Sequence, residues 1–194
     1  MSKYIIDSNV LIEAHRNYYS FDFGNSFWNQ LEKFFKSKDI VVLKVVRDEI
    51  LHGADDSLAK WMKSVEMHFQ PFIATDTEQF YENYSKILNY VQNCGLYKKI
   101  ALTNWSNPQI ADPCIIAVAM QYNYTILTNE KSVEKITNPS KNARIPDVAK
   151  HFGVECMRIF DFMRKKRFRL ADDCNANREF APRLRQYHCN RYDE

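Results

Sequence analysis

The chain has 194 residues, of which 45% are hydrophobic, 26% charged and 14% aromatic. Balanced charge and abundant aromatic residues exclude a disordered chain, and no apolar run reaches the roughly 18 to 20 residues of a membrane-spanning helix. The N-terminal segment meets Asp7 after only three apolar residues, which is not typical of a signal peptide. We therefore expect a soluble, cytoplasmic globular protein with no membrane association.

The formal net charge of +3 is unevenly distributed along the chain. The 31 residues from Arg164 onward carry nine Lys/Arg against five Asp/Glu, which leaves a charge of −1 on the remainder. Periodic hydrophobicity also fades beyond Leu170. We predict a folded domain over residues 1–168 and a basic, poorly structured C-terminal extension over 169–194. This extension is either a solvated end or a nucleic-acid contact.

The five cysteines and five histidines do not follow a metal-binding or disulfide pattern. The cysteine count is odd, the spacing is wide, and neither C-x-x-C nor H-E-x-x-H occurs. A disulfide framework and a zinc ribbon are therefore not expected, and reduced thiols are.

Short β-branched runs alternate with longer segments of helical periodicity along the chain. Each short run is typical of a strand buried on both faces, and the apolar segment after Pro113 is typical of an interior helix. In chain order, the predicted elements are a strand at 4–6, a helix from Val10, an amphipathic helix at 25–36, a strand at 40–43, a helix at 44–53, a helix at 76–93 capped by Asp76 or Thr77, an irregular segment at 95–111, a helix at 113–122, a strand at 124–127, a helix at 145–149, a strand at 154–157 and a helix at 159–166.

This alternation predicts an α/β fold with a central parallel sheet flanked by helices. Right-handed crossovers place the carboxyl ends of parallel strands at one edge of the sheet, where ligands bind in such folds. We therefore expect the functional residues to lie where the predicted strands end.

Four acidic residues are predicted to meet at this edge. Asp7 and Glu130 follow predicted strands, whereas Glu49 and Asp112 occupy helix positions that can face the same region. Asp7 and Asp112 could instead be caps, and Glu130 a first-turn acid. Glu49 shares its helix face with apolar neighbours and is the hardest to explain as a surface residue. Carboxylates brought together repel, and Mg²⁺ or Mn²⁺ is the simplest cofactor that neutralises them.

Three segments of the chain resemble the PIN-domain nucleases. They are Ile5-Ile6-Asp7-Ser8-Asn9-Val10-Leu11, Ala111-Asp112-Pro113-Cys114-Ile115-Ile116-Ala117-Val118-Ala119 and Thr125-Ile126-Leu127-Thr128-Asn129-Glu130. Within that superfamily the chain is similar to a short bacterial subgroup that carries a Phe-Trp pair and a late Ile-Pro-Asp-Val. Here these are Phe27-Trp28 and Ile145-Pro146-Asp147-Val148, and the resemblance covers about residues 1–168.

The resemblance implies a Rossmann-like PIN fold and metal-dependent cleavage of RNA. The four acids of the family's site fall on Asp7, Glu49, Asp112 and Glu130, which would be the catalytic and metal-binding residues. Glu130 stands where the family usually has Asp, so its side chain is one methylene longer. Many members are toxins of toxin–antitoxin pairs, which implies a small antitoxin as partner, and a homodimer is left open.

Further residues are expected to support the site or to contact RNA. In the resemblance, Ser8 provides the hydroxyl after the first Asp, and Asn9 and Thr128 lie in the motifs. Aromatic side chains can stack on unpaired bases. The stacking candidates are Tyr18, Tyr19, Trp28 and Trp105, although Trp28 at helical spacing is better explained as core. The candidates for contact with the substrate phosphates are Lys44, Arg47, Lys98, Lys99 and Lys131.

Three other functions compete with the toxin nuclease. A housekeeping RNA-processing nuclease would use the same site. A haloacid-dehalogenase-like phosphatase also begins with a strand and an Asp, but needs a second Asp where this chain has Asn9. A non-catalytic PIN-like binding module usually lacks one or more of the acids, all of which are present here.

Overall fold

The computed structural model describes residues 3–53, 56–133 and 138–170, which form a Rossmann-like α/β fold as predicted. The strands are β1 (Tyr4–Ile6), β2 (Ile40–Val41), β3 (Thr125–Leu127) and β4 (Cys156–Met157). The α-helices are α1 (Ser8–Glu13), α2 (Asn25–Lys36), α3 (Lys44–His52), α4 (Asp56–Val65), α5 (Glu78–Asn93), α6 (Lys99–Trp105), α7 (Asp112–Tyr122), α8 (Ile145–His151) and α9 (Ile159–Lys165). A π-helical turn (Ala14–Tyr18) follows α1, and a 3-10 turn (Glu66–His68) follows α4.

The four strands form one parallel sheet in the order β2-β1-β3-β4, which confirms the predicted sheet. Tyr4 lies opposite Ile40 on one side and Thr125 on the other, and Leu127 lies opposite Met157. The chain moves from β1 to β2 in one direction and then returns to place β3 on the other side of β1. The topological switch point therefore lies between β1 and β3, where ligands bind beyond the carboxyl ends of the strands.

The core forms around the two central strands and α7. Every residue of β1 and β3 is buried, as expected for strands covered on both faces. Helix α7 contacts both strands and buries the run Ile115–Ala119, which confirms that this apolar helix is interior. Helix α5 packs along α7, and Thr77 caps it by accepting a hydrogen bond from the Phe80 amide at 3.2 Å.

The aromatic residues near α2 belong to the core. Trp28 is 3% exposed, and its indole N–H donates to the Tyr19 carbonyl at 2.6 Å. The Tyr19 ring stacks on Phe27 with centroids 4.4 Å apart. Trp105 is also 3% exposed, whereas Tyr18 is 44% exposed. Trp28 is therefore a core residue as predicted, and Tyr18 is the most exposed of the four stacking candidates.

Several parts of the chain differ from the predicted elements. Helix α4 has no counterpart among them, and β2 and β4 are each two residues shorter than predicted. Helix α6 lies within the segment 95–111 that was expected to be irregular, and it buries Ala101 and Trp105. It has only seven residues, no side-chain N-cap and two inward positions, so its periodic signal is weak. Helix α1 begins at Ser8 instead of Val10, because Asp7 in extended conformation already occupies the N-cap position.

Several other expectations concern the chain's ends and thiols. The predicted basic extension lies outside the described residues from residue 171 onward, as do Cys174 and Cys189. Among the described residues, Cys94, Cys114 and Cys156 are free thiols. No helix in the described part of the chain is both long enough and apolar enough to cross a membrane.

Candidate active site

The four predicted acids come from four different elements that meet beyond the carboxyl edge of the sheet. Asp7 directly follows β1, and Glu130 lies three residues after β3 ends. Asp112 is the first residue of α7, and Glu49 lies on the inward face of α3. This meeting point is next to the switch point between β1 and β3, as the parallel topology predicts.

Glu49 connects three of these elements through its carboxylate. One oxygen, Oε2, accepts a hydrogen bond from the Ser8 hydroxyl at 2.7 Å, and the other, Oε1, accepts from the Ala111 amide at 3.0 Å. This inward-facing carboxylate on an otherwise apolar helix face therefore holds α3 against α1 and the start of α7. The same contacts bring it next to Asp7, to which Ser8 also lies within 3.5 Å.

The Thr128 hydroxyl fixes the position of Asp7. It donates to Asp7 Oδ2 at 2.9 Å and accepts from the Asn9 amide side chain and the Glu130 backbone N–H, both at 3.2 Å. Thr128 is 1% exposed. Because this hydroxyl forms hydrogen bonds with residues of both loops, it joins the loop after β1 to the loop after β3.

A second group of polar side chains supports these loops from behind. Asn9 Oδ1 accepts from the Asn129 amide at 3.1 Å, and Asn129 Nδ2 donates to Glu13 at 2.9 Å. Asn129 Oδ1 also accepts from the Ile159 amide at 3.4 Å, which ties the loop to α9. Glu13 was not among the residues predicted from the sequence, although it lies one helical turn after Asn9 on the same helix face.

Glu130 is oriented by the start of α8. Its Oε2 accepts from the Ile145 amide at 2.7 Å, an N–H that has no partner inside the helix. The guanidinium of Arg144 is close enough to lower the pKa of Glu130, although burial still leaves that pKa raised. This Glu therefore has a defined backbone partner despite its longer side chain.

Burial and mutual repulsion raise the pKa values of the acids. Burial raises the pKa of Asp7 from 3.8 to about 7, and nearby Glu130 and Glu49 add to this, whereas the hydrogen bond from Thr128 lowers it. Burial likewise raises the pKa of Asp112 to about 8, with further contributions from the other three acids. None of the four carboxylates forms an ion pair with a Lys or Arg of the described residues. No salt bridge within the described residues therefore neutralises the ionised cluster, although Arg144 lies near Glu130.

The chemistry of this donor set fits a hard divalent cation. All four side chains offer carboxylate oxygens, which Mg²⁺ and Mn²⁺ prefer. Within the described ranges, however, no three His, Cys, Asp or Glu side chains already lie in a metal-binding arrangement. Glu49 and Glu130 instead accept hydrogen bonds from backbone amides, and Glu49 accepts from Ser8 as well. Ion binding would exchange some of these hydrogen bonds for contacts with the cation.

Of the five predicted phosphate-binding residues, one lines a cavity beside the acids, one is held in ion pairs and three are exposed elsewhere. Lys44 lines a cavity next to Glu49. Arg47 instead donates to Glu66 at 2.9 and 3.0 Å and to Asp48 at 2.8 Å, so its guanidinium holds α3 against the turn after α4. Lys98, Lys99 and Lys131 are exposed and do not line the cavities beside the acids.

Two cations that were not predicted from the sequence lie beside the acids. Lys141 and Arg144 line a cavity together with Asp112 and Glu130. Arg144 directly precedes the Ile-Pro-Asp-Val segment, so its position in the sequence was the available signal. Their proximity to the site depends on the path of the loop before α8, which has no periodic pattern.

Replacing Thr128 with Val is expected to lower the free energy of unfolding by about 1–3 kcal/mol, because buried polar partners lose their hydrogen bonds. Asp7, Asn9 and the Glu130 amide all depend on this hydroxyl. Urea denaturation followed by circular dichroism measures the change. Thr128→Ser, which keeps the hydroxyl, is the matched control. Equal stability of the Val and Ser variants would contradict this role for Thr128.

Comparison with known proteins places the chain in a family. No curated protein matches it. The sequence model of the family described as "Domain of unknown function (DUF4411)" matches residues 4–170, which include all four acids and their supporting residues. The chain therefore belongs to the DUF4411 family.

Proposed function

We propose that the protein is a Mg²⁺- or Mn²⁺-dependent endoribonuclease of the PIN type, which hydrolyses RNA phosphodiester bonds. The observation that carries this proposal is the cluster of Asp7, Glu49, Asp112 and Glu130 at the switch point of a parallel sheet. The cluster has no cationic side chain among the described residues to pair with it, yet cations line the adjoining cavity. Acids that need a cation, next to side chains that attract anions, suit a phosphodiester substrate.

The four carboxylates would hold the metal. When bound there, a divalent cation would supply activation of water and neutralisation of charge that develops on the phosphoryl oxygens. Thr128 orients Asp7, and Ser8 orients Glu49, so the carboxylates are held in place by neighbouring hydroxyls. Lys141 and Arg144 attract the phosphate to the carboxylates without contributing ligands of their own.

A cysteine nucleophile does not suit this site. Burial raises the pKa of Cys114 to about 11 and that of Cys156 to about 12, with nearby acids adding to both. Because the thiolate is the nucleophile, these thiols are unreactive at neutral pH. Attack by water on the phosphodiester therefore fits better than a covalent mechanism.

The competing functions are less well supported. A haloacid-dehalogenase-like phosphatase needs a second acid two residues after Asp7. Asn9 stands there, and its amide group is used by Thr128 and the Asn129 backbone. A non-catalytic PIN-like binding module usually lacks one or more of the acids, and all four are present here. The resemblance to PIN toxins supports a toxin with a small antitoxin partner, acting in the cytoplasm as a monomer or homodimer. A housekeeping nuclease would use the same geometry.

The direct test is RNA cleavage by the purified full chain. We expect cleavage in Mn²⁺ or Mg²⁺, no cleavage in EDTA, and none with Asp7→Asn. Asp39→Asn is the matched control, because Asp39 precedes β2 at the opposite edge of the sheet and should keep full activity. Cleavage that persists in EDTA or in Asp7→Asn would overturn the proposal. Growth arrest with discrete RNA cuts on expression of wild type, but not Asp7→Asn, would support the toxin.

A further inference from the structure

A third cavity lies at the opposite edge of the sheet from the acids. It has a volume of about 400 Å³ and adjoins Tyr124 and Val154, which precede β3 and β4. The acids instead lie where strands end, and Asp112 begins the helix α7 whose last turn carries Gln121, also at the cavity. At 1.5 Å per residue, about 14 Å of helix separate Asp112 from Gln121. This cavity, here called the α7 cavity, is therefore separate from the proposed metal site.

The walls of the α7 cavity carry no formal charge. Among the described residues, none of the side chains that line it belongs to an Asp, Glu, Lys, Arg or His. Burial raises the pKa of Tyr124 above its usual value, which keeps this phenol protonated at neutral pH. The two cavities beside the acids differ, because each of them contains acids and cations together. The α7 cavity instead has four carboxamides, those of Gln79, Asn83, Gln121 and Asn123.

Two of these carboxamides hold α5 against α7. Asn83 is buried, and its Nδ2 donates to the Ala117 carbonyl at 3.2 Å. Its Oδ1 accepts from Gln79 Nε2 at 3.3 Å, and Gln79 Nε2 also donates to Glu82 at 3.4 Å. These contacts fix the cavity wall and leave Gln79 Oε1 without a donor among the described residues.

The other two carboxamides lie at the end of α7 and are available to a ligand. Gln121 Oε1 is buried, and no described residue donates a hydrogen bond to it. A buried polar atom without a partner costs free energy, so native proteins rarely keep one. The terminal torsion of Gln is broad, so this amide can turn toward a ligand in the cavity that its side chain lines. Asn123 ends α7 with a φ of 54°, and its exposed side chain lines the same cavity.

This lining restricts the charge and polarity of a ligand. An ion would leave water without finding an opposite charge in the cavity. A purely apolar molecule would displace water from the amides without replacing its hydrogen bonds. A neutral ring with polar groups meets both conditions, because Met120, Phe152 and Val154 provide apolar wall beside the amides. Small-molecule sites commonly occupy about 300–1,000 Å³, so a cavity of this size suits one or two rings.

We propose that the α7 cavity binds a small uncharged ring compound that carries hydroxyl or amide groups, the chemistry shared by hexoses and nucleosides. Gln121 and Asn123 form hydrogen bonds with its polar edge, and Met120 and Phe152 contact its apolar face. This ligand site is independent of the proposed nuclease activity, because none of the four acids lines the cavity.

Ligand-observed NMR tests this proposal without depending on RNA cleavage. Saturation transfer from the full chain to glucose, galactose and uridine is titrated in EDTA, which removes any metal-bridged binding at the acids. We expect at least one of these compounds to bind and to raise the melting temperature of the protein. Glucuronate, galacturonate and orotidine are their carboxylate analogues. The analogue of a compound that binds should bind at least about tenfold more weakly than its neutral parent.

The Gln121→Met variant removes the amide and keeps the length of the side chain. It should weaken binding of the neutral compound at least about fivefold, the equivalent of about 1 kcal/mol for one hydrogen bond. Its melting temperature without ligand should not fall, because Gln121 Oε1 has no partner among the described residues to lose. Asn123→Gly should also weaken binding, and it keeps the backbone conformation because glycine readily adopts a positive φ. Gln92→Met, at an exposed position of α5 outside the α7 cavity, is the matched control and should leave the affinity unchanged.

Three results would overturn the inference. They are no binding of glucose, galactose or uridine, a carboxylate analogue whose Gln121-dependent binding is as tight as that of its neutral parent, and an affinity unchanged in both Gln121→Met and Asn123→Gly. Binding of the hexoses alone would assign a sugar site, binding of uridine alone would assign a nucleoside site, and either result supports the inference. RNA cleavage plays no part in these measurements, so a chain that binds as described but does not cut RNA would overturn the proposed function alone.

Discussion

Replacing Asp112 with Asn is expected to abolish metal-dependent RNA cleavage and, at the same time, to stabilise the metal-free protein. Loss of a partner behind a metal ligand commonly costs about 10–100-fold in activity, and loss of a carboxylate at the site itself should cost more. The stabilisation follows from the raised pKa of this acid, about 8 in the folded state. In the folded protein, Asp112 must either bind a proton or remain charged in a buried position, and both cost free energy. Asn avoids both costs.

The gain in the free energy of unfolding should exceed about 1.4 kcal/mol at pH 7, the equivalent of a single pKa unit. Urea denaturation in EDTA measures it. Asp161→Asn, at an exposed acid on α9, is the matched control and should change neither activity nor stability appreciably. Mn²⁺ should raise the melting temperature of wild type more than that of Asp112→Asn. An Asn variant that is less stable than wild type in EDTA would contradict this account of the buried charge.

The stability of the metal-free wild type is expected to fall as the pH rises from 5 to 8. Asp7 and Asp112 have pKa values of about 7 and about 8 in the folded state, both well above the value of about 3.9 for an unfolded Asp. In this range the folded protein binds more protons than the unfolded chain. The stabilisation is therefore complete below about pH 4 and is lost as the pH rises through 7 and 8.

Each excess proton contributes a slope of about 1.4 kcal/mol per pH unit, so the effect accumulates to several kcal/mol across this range. Urea denaturation in EDTA from pH 5 to pH 9 gives the profile. Millimolar Mn²⁺ should flatten it by compensating the ionised carboxylates, and the Asp7→Asn, Asp112→Asn double variant should flatten it without metal. A wild-type profile that rises with pH in EDTA would show that these acids are not buried together.

The parts of the site that the sequence predicted depend on short-range patterns. A β-branched run that ends in Asp7 marks the end of a strand wherever it lies, and a Glu at position 49 between apolar neighbours must face inward on a helix. The interior helix after Asp112 is recognisable because it is apolar on all sides. Since parallel strands end at one edge, these local features were sufficient to bring the acids to one region.

The parts that the sequence did not predict depend on long-range packing. Helix α6 is too short to show a clear hydrophobic period in the sequence. Its two inward residues can be identified only from the core that buries them. Arg47 is a candidate for phosphate binding by charge and position, but the chain brings Glu66 alongside and engages its guanidinium. Arg144 is an ordinary loop cation until the path of that loop places it beside Glu130.

The sequence by itself therefore determined the parallel α/β fold and the proximity of four acids, because alternating runs and helical periodicity act over a few residues and set which side chains turn inward. The tertiary structure alone decided which hydroxyl or amide holds the carboxylates of Asp7, Glu49 and Glu130, and which cations lie beside the acids. These relations join residues as far apart as Glu49 and Ala111. These contacts form only when the core packs, so local sequence patterns do not predict them.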